Sequence, residues 1–196
     1  MRLFIAVTPP QAALDDLESR LAPLRPAWPG LRWTSQAGWH LTLSFLGEVA
    51  EDRAAGLTEE LAVAARLRRA VPMSVAAAGA FPRPSRAQVL WTGIQADQVS
   101  LTKLARAAAR AARQAGTPPP GPRRRFQPHL TLARGTGRAP LDLRPLVDSL
   151  ASYAGPRWTA ARIELIRSHL GTAAPRYEQL GSWPLRPAPG PGEPKP

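Results

Sequence analysis

Cysteine is absent from this chain of 196 residues, which excludes disulfides and thiolate chemistry together. No apolar run is long enough to span a bilayer. The opening Met1-Arg2-Leu3-Phe4-Ile5-Ala6-Val7 is too short for the apolar centre of a signal sequence before Thr8-Pro9-Pro10 interrupts it. The expectation is a soluble cytoplasmic protein with no membrane partner. Lysine is almost missing, since Lys103 and Lys195 are the only two among 26 cationic residues. Acidic residues number 14, leaving a formal net charge of +12 carried by arginine. Guanidinium pairs with phosphate through a bidentate fork, so the balance favours RNA or nucleotides as partners, although an Ala, Pro and Arg bias in composition accounts for part of it. Hydrophobic residues make up 44%, enough for a packed core.

Histidine is scarce as well, with three residues in all, and two of them open the same word. His40-Leu41-Thr42-Leu43 recurs as His129-Leu130-Thr131-Leu132, 89 residues later. Each copy lies in an apolar run that reads as a strand, Trp39 to Leu46 and Pro128 to Arg134. Alternation on a strand gives His40 and Thr42 one face and Leu41, Leu43 and Phe45 the other. His129 and Thr131 likewise share a face opposite Leu130 and Leu132. Imidazole and hydroxyl then sit roughly 7 Å apart along each strand.

Around these words the chain reads as a repeat. Leu3 to Val7 is a strand, and Thr8-Pro9 is a capped start for a helix carrying Leu14, Leu17, Leu21 and Leu24 on one stripe. The first His strand follows, then a helix over Glu51 to Arg69 and a strand over Met73 to Ala80. The second half runs as a strand from Ala87 to Ile94, a helix from Val99 to Gln114, the second His strand, a helix from Leu143 to Ala151 with Asp142 as its cap, and a strand from Trp158 to Arg167. A last strand spans Arg176 to Trp183 beyond Gly171. Lys103, Arg106, Arg110 and Arg113 form a basic stripe expected to be a solvated helix face. Gly116 to Arg125, with Arg123-Arg124-Arg125, reads as a mobile basic loop, and the Pro/Gly-rich 186–196 as a disordered tail. One bilobal domain over 1–185 is expected, built from repeats at about 3–80 and 87–167 and closed by a strand at 176–184. A pseudo-twofold axis would then bring both polar strand faces to one groove.

Two metal-free histidines suit acid–base catalysis at neutral pH: one neutral to accept a proton, the other protonated to supply it. Threonine hydroxyls can donate to non-bridging phosphate oxygens, and an arginine can stabilise the charge that grows during in-line displacement. Zinc would want a carboxylate or third ligand, which neither strand's polar face supplies; Glu48 lies beyond Gly47. A Ser-His-Asp site lacks its nucleophile elbow. Structural histidines would not explain two matching copies, whereas His169, outside both, is read as structural. Phe45 and Trp91 are candidates to stack a base, with Phe45 expected in the core beside Leu41 and Leu43.

At these residues the chain resembles the two-histidine phosphoesterase superfamily, and within it the RNA 2′,3′-cyclic phosphodiesterases, or LigT-like 2′-5′ RNA ligases. The likeness rests on Met1-Arg2-Leu3-Phe4, on His40 to Gly47, on Val89-Leu90-Trp91, on Phe126 to Arg134 and on Tyr177-Glu178-Gln179-Leu180, and it covers about residues 1–185. It implies an α+β, bilobal, internally duplicated fold with antiparallel sheets lining a central cleft and helices outside. It also implies metal- and cofactor-independent opening of an RNA or nucleoside 2′,3′-cyclic phosphate to the 2′-phosphomonoester. His40 would be the proton donor and His129 the acceptor, roles that the symmetric motifs alone leave interchangeable. Thr42 and Thr131 would hold phosphate oxygens. Arg134 follows the second motif, but strict alternation points it away from His129 unless the strand ends or twists; Arg125 lies at the rim of the cleft. The competing functions are ATP-free 2′-5′ ligation by reversal and a non-catalytic RNA-binding module. A monomer without an obligate protein partner is expected.

Overall fold

The first strand, β1 (Arg2–Val7), is buried along nearly its whole length because both of its faces are covered. Leu3, Ile5 and Val7 enter the main core, while Phe4 and Ala6 form a second small cluster with Ile166. The computed structural model describes residues 1–121, 125–169 and 176–188. After β1 come α1 (Gln11–Leu21), β2 (Leu31–Trp33), β3 (Leu41–Glu48), α2 (Ala54–Arg66) and β4 (Val71–Phe81). The second half contains β5 (Val89–Ala96), α3 (Gln98–Gln114), β6 (His129–Gly135), α4 (Arg144–Ser149), β7 (Trp158–Ala160), β8 (Arg162–His169) and β9 (Arg176–Pro184).

Two antiparallel sheets result, ordered β3-β1-β8-β9 and β2-β6-β5-β4-β7. Their centres are equivalent: β3-β1-β8 in one matches β6-β5-β4 in the other. Each half of the chain therefore gives one of its core strands away. β4 ends the first half but pairs with β5, and β8 ends the second half but pairs with β1. The exchange ties the two halves together through backbone hydrogen bonds rather than through side-chain packing alone. Helix α3 packs on α2 and on β3, and α1 and α4 pack on β4. On α3 the buried residues Leu101, Leu104, Ala105, Ala108, Ala111 and Ala112 recur at helical spacing, and the alanines let its axis lie close to the sheet. Lys103, Arg106, Arg110 and Arg113 occupy its exposed face.

Several local expectations change. Thr8 caps no helix: its hydroxyl donates to the Glu164 carboxylate at 2.5 Å, and α1 begins after Pro10. The run from Trp158 to Arg167 is two strands, because the chain crosses at Ala161 from the β4 sheet to the β1 sheet. A 3-10 turn over Glu51–Arg53 precedes α2, which ends at Arg66. Asp142 accepts from the Arg144 N–H and pairs with its guanidinium, though the cap position itself is Leu143. The short β2 carries no strand pattern and exists through its pairing with β6. Arg186, expected in the tail, is held by backbone bonds to Arg68 and Ala70. Gly171, Arg123, Arg124 and residues 189–196 lie outside the described residues. No helix among the described residues is long and apolar enough to cross a membrane.

Candidate active site

One irregularity, made twice, shapes the cleft. In β3, Ile5 pairs with Ser44 and Ala6 with Thr42, so Leu43 is an extra residue; in β6, Leu90 pairs with Ala133 and Trp91 with Thr131, so Leu132 is extra. Each bulge falls three residues after its histidine. A bulge puts two consecutive side chains on one side and inverts the alternation beyond it. Leu43 and Ser44 are both buried, as are Leu132 and Ala133. The residue five after each histidine thereby returns to the cleft face. In the first motif that residue is Phe45 and in the second it is Arg134.

Phe45 thus leaves the core face expected for it. It stands opposite Phe4, is 39% exposed, and has the Arg2 guanidinium 4.9 Å from its ring centroid. Arg134 stands opposite Val89 on the face shared with Thr131 and Trp91. Strict alternation would have turned both side chains the other way.

His40 lies just before β3, stacked on Phe4 at 4.5 Å between ring centroids and edge-on to Tyr177 at 5.1 Å. Burial among these rings pushes its pKa down to about 4, and the nearby charges of His129 and Arg134 add to the effect. His129 opens β6, opposite Gly93, with Phe81 edge-on at 5.1 Å and Trp91 at 6.1 Å. Its Nδ1 lies 2.7 Å from the Gln127 carbonyl oxygen. A carbonyl only accepts, so Nδ1 carries the proton and Nε2 of the neutral ring keeps its lone pair. Burial lowers the His129 pKa, the bond to Gln127 works against that, and the Arg134 charge lowers it further. Gly79 faces Trp91 across the sheet, where a Cβ would come within 2.2 Å of the indole, so only glycine leaves room for that ring next to His129.

The charges of His129 and Arg134 both act on His40, and the two His strands, β3 and β6, approach each other. Thr42 pairs with Ala6 on the Phe4 face and Thr131 with Trp91 on the His129 face, both half-buried. Among the described residues neither hydroxyl has a protein partner, so both remain available as donors. Arg125 is exposed on the approach to β6. His169 pairs with Glu178 at 2.7 Å, away from both motifs. Among the described residues no three His, Asp or Glu side chains gather as a metal site. Phe4 and Gln127 lie in stretches that carry the family likeness yet have no role assigned from sequence, and Phe81 lies outside those stretches. Phe4 could have been given one, since Phe4 and Ala6 alternate against Leu3, Ile5 and Val7. Gln127 acts through its backbone carbonyl, which leaves no trace in residue identity.

Such a site can take a proton on one side of an anion and deliver one on the other, with neutral donors and a guanidinium between. Comparison with known proteins points the same way. The model of a family described as LigT like Phosphoesterase matches residues 7–91 and again 94–177. An RNA 2′,3′-cyclic phosphodiesterase of Thermus thermophilus is 31% identical over 98% of this chain and 98% of its own. One from Geobacillus stearothermophilus is 28% identical over 95% of this chain, which spans 58% of that longer relative. The crystal structure of TT0787 of Thermus thermophilus superposes with a TM-score of 0.75 at 27% identity, covering 95% of this chain and 99% of that one.

Proposed function

Because this chain belongs to the LigT like Phosphoesterase family, we propose that it hydrolyses 2′,3′-cyclic phosphates, on RNA ends or nucleosides, to 2′-phosphomonoesters without a metal. The observation that carries this reading is the pair of matching bulged strands, β3 and β6, which approach each other and carry one imidazole from each repeat. In the proposed reaction Nε2 of His129 takes a proton from water as its oxygen attacks phosphorus. The P–O3′ bond breaks in line with the attack, and His40 delivers a proton to the departing O3′. The transferred protons then exchange through solvent, which resets the pair. Thr42 and Thr131 donate to the non-bridging oxygens, and Arg134 holds the negative charge that builds on them.

Burial holds the His40 pKa at about 4, so the ring is neutral at physiological pH. An anionic phosphodiester supplies the counter-charge that this buried ring lacks and draws its pKa upward, so substrate binding itself loads the acid. The Nδ1 bond to Gln127 favours His129 as the base, because it leaves Nε2 free to accept. Arg125 fits a rim contact to the RNA strand that carries the cyclic phosphate. The proposed setting is the cytoplasm, with the protein acting alone.

The test is turnover of an RNA bearing a terminal 2′,3′-cyclic phosphate by the purified protein in the presence of chelator. Formation of the 2′-phosphate is the expected result. A chain that forms none, or that loses activity to chelator and regains it with zinc, would refute the reading.

A further inference from the structure

Beyond the Arg134 end of the cleft, the second sheet terminates in an open cavity of about 570 Å³ lined by Pro82, Arg83, Arg86, Gln88, Arg138 and Pro140. We propose that this cavity is a second phosphate site, which holds the backbone of a single-stranded RNA whose end occupies the histidine cleft; the inference rests on the proposed RNA activity. Three guanidiniums converge here, and among the described residues none of the three has a carboxylate partner. Some arginines elsewhere do find acids, as exposed Arg144 does with Asp142 and half-buried Arg25 with Glu18. Like charges gathered without acids repel one another, and an anion relieves that repulsion.

The rim is held in place by the protein itself. Ala87 and Leu141 exchange backbone bonds of 2.7 and 2.9 Å, tying the two loops together. The Gln88 amide donates to the Arg138 carbonyl at 3.1 Å, and the Arg86 N–H donates to the Arg83 carbonyl at 3.0 Å. Three prolines, Pro82, Pro84 and Pro140, restrict the same loops. No aromatic ring lines the cavity, so nothing there stacks a base, and guanidinium forks would read backbone phosphates without regard to sequence. Position selects the length of the ligand. Six residues of β6 separate His129 from Gly135, roughly 20 Å of strand, which a mononucleotide held at the imidazoles does not span. An oligonucleotide does.

The experiment compares wild type with the Arg83→Ala/Arg86→Ala/Arg138→Ala triple variant. The substituted side chains are all exposed, so the fold should be retained. One assay measures affinity for a short fluorescent single-stranded RNA ending in a 3′-hydroxyl; the other measures turnover of a nucleoside 2′,3′-cyclic phosphate. RNA binding should weaken at least about tenfold, and the slope of log affinity against log salt should shrink by about 2, for three lost phosphate contacts on a single strand. Nucleoside turnover should stay within twofold of wild type. Unchanged RNA affinity, or nucleoside turnover falling in parallel with binding, would overturn the proposal, as would a wild type that does not bind the RNA. If wild type binds RNA yet cleaves no cyclic phosphate, the proposed activity fails while the affinity comparison still decides the cavity.

Discussion

The two His-Leu-Thr-Leu words are identical, and their surroundings are not. Around His40 the protein packs Phe4 and Tyr177, buries the ring, and places Phe45 at the position five residues on. Around His129 it supplies a carbonyl to Nδ1, leaves the ring less enclosed, and places Arg134 at the matching position. The duplicated backbone builds both His strands alike, down to the same bulge in the same place. The unduplicated neighbours break the tie between them. A site that must give a proton and take one at the same time needs that asymmetry.

The largest effect should come from removing either ring. His40→Ala and His129→Ala are each expected to lower turnover of an RNA 2′,3′-cyclic phosphate by about a thousandfold or more. The comparison predicts different pH profiles for the residual rates: the alkaline limb disappears with the donor and the acidic limb with the acceptor. Identical profiles would mean that the two environments do not divide the roles. Thr42→Val and Thr131→Val come next, each lowering kcat/KM by about ten- to a hundredfold, since each removes one neutral donor to the phosphoryl oxygens. Matching losses would show that the hydroxyls, unlike the rings, have stayed equivalent.

Arg134→Gln should cost about tenfold in kcat/KM. It should also raise the titration midpoints of both His40 and His129 in an NMR titration of the free protein, because the Arg134 charge lowers both. The converse change, Phe45→Arg, places a cation at the equivalent point of the other strand and should push His40 lower still.

The last expected effect is on stability rather than on turnover. Folded His40 takes up its proton at about pH 4, against 6.5 for an unperturbed imidazole, so between those values the unfolded chain binds more protons. Stability from this residue is complete above about pH 6.5 and declines toward pH 4, by roughly 3 kcal/mol in total. Denaturant unfolding at neutral pH and at about pH 4.5 should reveal the slope, and His40→Asn should flatten it.

Much of the fold could be read directly. Helical spacing of Leu14, Leu17 and Leu21 and alternation through the two motifs locate the elements within a few residues, because burial imposes those periods on the sequence. The order of elements discloses the repeat, and two identical words disclose the histidines and threonines. What stayed hidden has a common cause. The bulges at Leu43 and Leu132 carry no glycine or other marker, so their inversion of Phe45 and Arg134 has no local signature. Residue types and their order along the chain determined that two imidazoles and two hydroxyls would be offered on strands. Only tertiary structure decided that β4 and β8 cross between sheets, that Arg134 turns into the cleft, and that one ring is buried deeper than the other. Each of those outcomes depends on which distant backbone a strand pairs with, and pairing is a property of the assembled sheet rather than of any segment in it.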